Sequence, residues 1–380
     1  MRNIAIEAEK AGIEAYTSCQ YGISTRNEPY QKHLYIGTRL GRNIHLKLGE
    51  FTGRYGLFSA YDTKKFIKQI DQLNPDIVHL HNLHKGYINL NRLFRYLKEK
   101  NKPVVWTLHD CWSFTGQCPY FDRVQCQKWR TGCGHCPQYK DYPSKVDGTA
   151  SMFQKKKQWF TGLRNMTIVT PSQWLAELVA ESYLKDYKVK IIHNGIDLSV
   201  FRPRKTNLRE KLKLGNKTVI LGVASIWDSR KGLEVFEELS GQLSDDYQII
   251  LIGLNSKQLE AIPKNIIGIA RTTDANELAE YYSMADIFVN PTVEDNFPTV
   301  NLEALACGTP VFTFPTGGST ECIENGCGKI VTRQSLASDV TQLKTFEMNR
   351  NRCIEVSKQY AMQDKFREYI ELYRKILVKL

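Results

Sequence analysis

No run of apolar residues in this sequence is long enough to span a bilayer. Its first residues lack the basic start, apolar stretch and small-residue cleavage site of an export signal, so a cytoplasmic protein is expected. No Asp-x-Asp pair stands out as a metal-holding motif, and no helix-turn-helix pattern or RNA-binding aromatic signature is evident. Nucleic acid is therefore not expected as a partner. Cysteine is not scarce, with ten in the chain. Without an export signal they argue against a disulfide framework.

What is present is a chain of 380 residues, too long for one typical domain, so two are expected. At 42% hydrophobic and 24% charged its composition is that of a folded globular protein. The net charge of +12 is unevenly placed. Residues 1–190 hold 29 of the 52 Lys and Arg and 16 of the 40 Asp and Glu, a balance of +13, which leaves 191–380 at −1. A basic first half and a neutral second half suggest that the first half faces something anionic, such as a lipid head group or a lipid-linked phosphate. The alternative is a solvated basic surface.

Apolar periodicity predicts strands alternating with helices, twice over. In the first half a helix is expected over 1–10, a strand over 13–21, and short apolar runs at 34–36 and 44–48. A helix over 62–73 has Asp62 as its N-cap candidate. Strands are expected at 76–81, 103–109, 166–170 and 188–193, with helices over 90–100, 151–160 and 172–184. The stretch 120–146 is irregular and rich in Cys, Pro and Gly. In the second half strands are expected at 219–224, 247–254, 266–269, 287–290 and 311–314, with helices over 208–214, 233–242, 275–284 and 364–380. This alternation predicts two doubly wound, Rossmann-like parallel-sheet domains. Their boundaries are placed at 1–200 and 201–362, with 363–380 a helix packing back on the first domain. Ligands of such sheets bind beyond the C-terminal ends of the strands, where His109, Ser225–Lys231, Arg271 and 295–301 are expected.

The stretch 291–310 carries the strongest local signal. A strand runs into an acidic loop, then Pro298, then an apolar-faced helix closed by Gly308. Proline suits the first helical turn. The amides of Thr299, Val300 and Asn301 are expected as helix-end donors for an anion. Glu303, one turn in, is within reach of sugar hydroxyls. Alone, the pattern is also that of an ordinary strand–loop–helix unit.

The order of motifs resembles the retaining GT-B glycosyltransferases of family four, in particular the bacterial exopolysaccharide type that includes colanic-acid enzymes. The residues that carry it are DIVHLHN at 76–82, WTLHDCWSFTGQC at 106–118, TPSQW at 170–174, NGIDLSVFRP at 194–203, RKG at 230–232, ADIFVNPT at 285–292 and EDNFPTVNLEALACGTPV at 294–311. The resemblance implies an α/β GT-B fold, two such domains facing a cleft. It also implies a nucleotide-diphosphate sugar donor bound mainly by the second domain, and no metal for catalysis. It implies an acceptor bound by the first domain, expected to be a saccharide or lipid-linked saccharide; the basic first half fits a lipid-linked one at the inner face of the membrane. The resemblance assigns His109 and Asp295 to the donor sugar, Lys231 to the diphosphate and Glu303 to the ribose; Arg230, next to Lys231, is expected to supply the guanidinium of the family's missing Gly-Arg pair, the alternative being an Arg230 that points into solvent. Ser225, Arg271, Phe297, Thr299, Val300 and Asn301 line the donor. Asp295 stands where the family has Glu, and Ala224-Ser225-Ile226 replaces its usual Gly-Arg pair. Glu294 is expected to be a solvent-facing loop charge, and Asp110 a cap on the turn that follows His109. Retention implies that the acceptor hydroxyl attacks from the face the diphosphate leaves. The pattern opens in a helix, so the strand and Gly-rich loop that begin such a domain are expected before residue 1. The alternative is a truncated, non-catalytic nucleotide-sugar-binding remnant.

Cys118, Cys126, Cys133 and Cys136 form a separate cluster. Cys133 and Cys136 have the two-residue gap of a zinc knuckle. Structural zinc would staple a loop that has no core of its own, with His135 or Cys111 as alternate ligands. The other reading is four thiols packed as small apolar groups.

Overall fold

The computed structural model describes residues 1–20, 31–84, 86–142 and 144–378. The chain divides into two compact units, Met1–Ile192 with Phe366–Leu380, and His193–Lys365. Among the described residues no helix is long and apolar enough to cross a membrane.

The first unit holds two sheets. Strands β1 (Thr17–Gln20) and β2 (His33–Ile36) pair in parallel as a two-stranded sheet. Strands β3 (Val78–Leu80), β4 (Val104–Thr107), β5 (Met166–Thr170) and β6 (Lys188–Ile191) form a separate parallel sheet in sequential order. The helices are α1 (Arg2–Lys10), α2 (Arg39–Thr52), α3 (Ala60–Leu73), α4 (Leu90–Lys100), α5 (Thr149–Phe160) and α6 (Gln173–Glu181). Every residue of β4 is buried, as an apolar strand covered on both faces must be. On one face, α4 buries Leu90, Leu93, Phe94 and Leu97, the helical i, i+3, i+4, i+7 spacing. There the Phe94 ring lies 5.4 Å from Trp106 and 4.5 Å from Phe160. On the other face, Ile4 and Ala8 of α1 cluster with Val105, Val169, Tyr369 and Tyr373.

Several local expectations change. The run at 44–48 lies inside α2, which buries His45 and Gly49, four residues apart on one helical face, and leaves Ile44 and Leu48 exposed. Asp62 sits in the first turn of α3, whose N-cap is Ser59. Residue 21 of the expected first strand, and residues 379–380 of the last helix, fall outside the described residues.

The second unit is built on one six-stranded, all-parallel sheet. Its strands are β7 (Thr218–Val223), β8 (Tyr247–Ile252), β9 (Ile266–Ile269), β10 (Ile287–Asn290), β11 (Val311–Thr313) and β12 (Gly328–Ile330). The spatial order is β12-β11-β10-β7-β8-β9. The chain thus runs outward from β7 to β9, then returns to β10 on the other side of β7. That reversal is the point where parallel sheets open a crevice at their carboxyl edge. The connecting helices are α7 (Leu208–Lys211), α8 (Leu233–Gln242), α9 (Ser256–Ala261), α10 (Ala275–Met284), α11 (Thr299–Ala306), α12 (Leu336–Thr341), α13 (Arg350–Lys358) and α14 (Met362–Leu377). From Phe366 onward α14 belongs to the first unit. Helices α9, α12 and α13 and strand β12 were not among the sequence expectations.

Candidate active site

The reversal point places two loops side by side. After β7 comes 224–232, and after β10 comes 291–298. They are stitched together: Val293 N–H and the Thr292 hydroxyl donate to the Arg230 carbonyl at 2.9 and 3.2 Å. Gly232 has φ +73°, and a Cβ there would stand 2.7 Å from the Pro291 carbonyl, so only glycine fits this approach. Gly253, following β8, is tighter still. At φ +102° its Cβ would lie 1.7 Å from the Ala224 carbonyl.

The seam brings the cations and carboxylates together. Lys231 Nζ donates to Asp295 Oδ2 at 2.6 Å. Arg230 donates from Nη2 to Asp228 Oδ2 at 2.8 Å, and its backbone N–H reaches Asp228 Oδ1 at 3.0 Å. The Arg230 pair, desolvation aside, holds the Asp228 carboxyl below its usual range. Arg230 is therefore engaged within its own loop rather than extended into solvent. Asp228 had no counterpart among the sequence candidates.

Helix α11 starts at the rim of this seam. Pro298 is its N-cap, one residue earlier than the first-turn position expected. Asn301 N–H bonds to the Pro298 carbonyl at 3.2 Å, so Thr299 and Val300 supply the helix-end donors. Asn301 itself is fully buried, at 0% exposure. It accepts from Asn290 Nδ2 at 2.8 Å and donates to the Ser319 carbonyl at 3.0 Å. This side chain pins α11 to β10 and to the 317–320 turn. Phe297 is likewise turned inward at 3% exposure, stacked 4.7 Å from the His193 ring. Any part of Phe297 in binding would fall to its backbone.

Glu303 lies one turn into α11, half-buried, and accepts from the Tyr282 hydroxyl at 3.0 Å. Burial raises its carboxyl to about 7, against a smaller lowering by Tyr282. Glu294 is buried at 2% exposure, contrary to the expected solvent-facing charge. Its loop folds under the β10 end, where the Glu294 carbonyl accepts from Thr292 Oγ1 at 3.2 Å. Ser225 and Arg271 are exposed beyond the ends of β7 and β9.

In the first unit, His109 follows β4. It is hydrogen-bonded from Nε2 to His81 Nδ1 at 3.1 Å, with the two rings stacked. His79 packs 4.2 Å from His81 and bonds to Tyr373 at 2.6 Å and Thr107 at 2.8 Å. Burial lowers all three imidazoles, His79 to about 3. They are neutral near pH 7. Sequence reasoning gave His81 no role, yet it follows β3 directly, and its i, i+2 spacing from His79 in extended chain puts both on one face. Asp110 accepts from Trp112 N–H at 2.9 Å and caps the short 3-10 turn Cys111–Phe114, as expected.

Comparison with known proteins follows the same division. Residues 217–345 match the family described as glycosyl transferases group 1. A protein of Escherichia coli (strain K12) assigned to colanic acid biosynthesis as a glycosyl transferase, WcaC, is 28% identical over 320 residues, 80% of this chain and 77% of that one. Among solved structures, sucrose-phosphate synthase from Thermosynechococcus elongatus superposes with a TM-score of 0.72 at 17% identity, covering 100% of this chain and 93% of that one. Anabaena HepE in complex with UDP gives 0.64 at 15%, covering 95% and 99%. These likenesses show the GT-B fold. Residues 2–200, more than half of the chain, match the model of Glycosyltransferase Family 4, and the chain belongs to that family.

Proposed function

We propose that the chain moves a sugar from a nucleotide-diphosphate sugar to a saccharide or lipid-linked saccharide, with retention, in cell-surface polysaccharide biosynthesis. The observation that carries this reading is the convergence of Lys231, Asp295 and the amino end of α11 at the sheet reversal of the second unit. A nucleoside diphosphate leaving group develops charge that needs preplaced cations and dipoles. Lys231, Arg230 and the Thr299 and Val300 amides supply them. The two carboxylates now on Lys231 and Arg230 hold these side chains in place until a diphosphate competes for them. Glu303 accepts from the ribose hydroxyls, and Asp295 faces the donor sugar, one methylene shorter than the family's Glu. In the first unit, His109 is the proposed sugar contact. HepE is described in complex with UDP-glucose, which supports a donor of this class. WcaC's assignment to colanic acid biosynthesis supports the polysaccharide context. The excess of basic residues in 1–190 suits an acceptor presented at an anionic membrane on the cytoplasmic side.

In the proposed step the acceptor oxygen bonds to the anomeric carbon as the bond to the diphosphate breaks. The hydroxyl proton passes to the departing phosphate oxygen. The protein's share is positioning and charge stabilisation, with no covalent intermediate. A panel of nucleotide-diphosphate sugars, scored for diphosphate release and for product anomer by NMR, tests this. A product with the donor's anomeric configuration is expected; an inverted one overturns retention.

A further inference from the structure

The four cysteines of the first unit take no part in the chemistry above, and the fold gathers them. Cys118, Cys126, Cys133 and Cys136 come from turns around the 3-10 segment Lys128–Arg130, yet all four line one cavity of about 20 Å3. That is room for a single water-sized sphere. None is in a disulfide. Gln138, 2% exposed, also lines the cavity, and its Oε1 is buried without a hydrogen-bond partner among the described residues.

Backbone donors face two of the sulfurs, while burial pushes the thiols of Cys118, Cys133 and Cys136 up. Gly116 N–H donates to Cys133 Sγ at 3.2 Å, and the Gln138 backbone N–H donates to Cys136. Such bonds favour the ionised sulfur. His135 takes a left-handed φ of +46°, which turns the Cys133–Cys136 segment back on itself. Lys128 Nζ braces that turn, donating to the Gly134 and His135 carbonyls at 3.0 Å each. Behind the cluster Lys156 is fully buried, its Nζ donating to the Trp112 and Thr115 carbonyls; burial lowers its ammonium to about 7, against an opposite effect of Cys133 and Cys118. A buried ammonium is costly unless it meets negative charge.

We infer that these four cysteines bind one zinc ion as a structural tetrathiolate site that staples the segment between β4 and α5, with Lys156 offsetting its negative charge. As the side chains stand, no three His, Cys, Asp or Glu among the described residues are grouped to hold an ion. Closing the site takes rotation of the sulfurs about χ1 into the cavity between them. Binding releases the thiol protons to solvent and leaves the metal's oxidation state unchanged. A site with four sulfur ligands has no open position, so its role is structural.

The test is metal analysis of the full chain, freshly purified under reducing conditions. About one equivalent of zinc is expected, falling to background in a Cys133→Ser, Cys136→Ser double variant and retained in Cys19→Ser. Replacement by Co2+ should give a sulfur-to-cobalt charge-transfer band. Should the double variant fail to fold, a strong chelator on the wild-type chain gives the second readout. It should release the zinc and lower Tm by more than about 5 °C. Less than about half an equivalent of zinc together with no cobalt band, a chelator that leaves Tm unchanged, or cysteines found as disulfides would overturn the inference.

Discussion

Replacing Glu303 with Gln should make the protein more stable at high pH and less able to hold a donor. Burial raises the Glu303 carboxyl from 4.5 to about 7 in the folded chain. Between those values the unfolded chain is ionised while the folded one keeps its proton, so folding takes up a proton and stability falls as pH rises. Above the folded value the penalty is complete. A shift of that size corresponds to roughly 3 kcal/mol, and water reaching a half-buried group reduces it to about 2 kcal/mol. Gln keeps an oxygen to accept from Tyr282, which now bonds Glu303 at 3.0 Å, and has no charge to desolvate. Urea unfolding from about pH 4.5 to about pH 8 should show the two proteins within ~0.5 kcal/mol at the acid end. At the basic end the variant should be more stable by about 2 kcal/mol. Its affinity for a nucleotide-diphosphate sugar should fall about tenfold, since a hydrogen bond to a charged acceptor is worth about 1.5–3 kcal/mol. A stability difference that does not change with pH would refute the reasoning.

Lys231→Ala should lower kcat/KM for the donor by roughly 30–150-fold, the equivalent of about 2–3 kcal/mol for a cation removed from a partly buried charge cluster. A loss under about threefold in steady-state kinetics contradicts its role. Asn301→Ala leaves Asn290 Nδ2 and the Ser319 carbonyl without their present partner, so urea unfolding should show a loss of roughly 2–4 kcal/mol. Gly253→Ala sets a Cβ against the Ala224 carbonyl at a positive φ and should cost more than ~3 kcal/mol, read as a fall in Tm; an unchanged Tm would deny the close approach.

The alternation of strands and helices was legible because buried parallel strands are short and apolar throughout. Ile249–Ile252 and Ile287–Val289 are buried runs of this kind, short and rich in β-branched residues, which favours strand over helix. Less was legible where tertiary context decides. Nothing local separates β1 and β2 from the main sheet of their unit, since a strand does not encode its neighbour. The run at 44–48 was too short to show its period, and α2 claimed it. At the site, helix-end amides and charged residues were readable from type and spacing. Burial of Glu294, Phe297 and Asn301 was not, because it depends on how two loops from distant parts of the sequence close on each other. Asp228 escaped notice for a related reason: its role is to orient Arg230 two residues away, and charge alternation on a loop has no periodicity to reveal it.

The central claim is that the amino end of α11 and Lys231 hold a diphosphate. Its most direct test is titration of the protein with nucleoside diphosphates and the matching nucleosides, followed by calorimetry and by amide hydrogen exchange. At least one diphosphate should bind more than about tenfold tighter than its nucleoside, a difference of ~1.4 kcal/mol, and should protect the Thr299 and Val300 amides. Equal affinity for diphosphate and nucleoside, or protection that leaves Thr299 and Val300 unchanged, would contradict it.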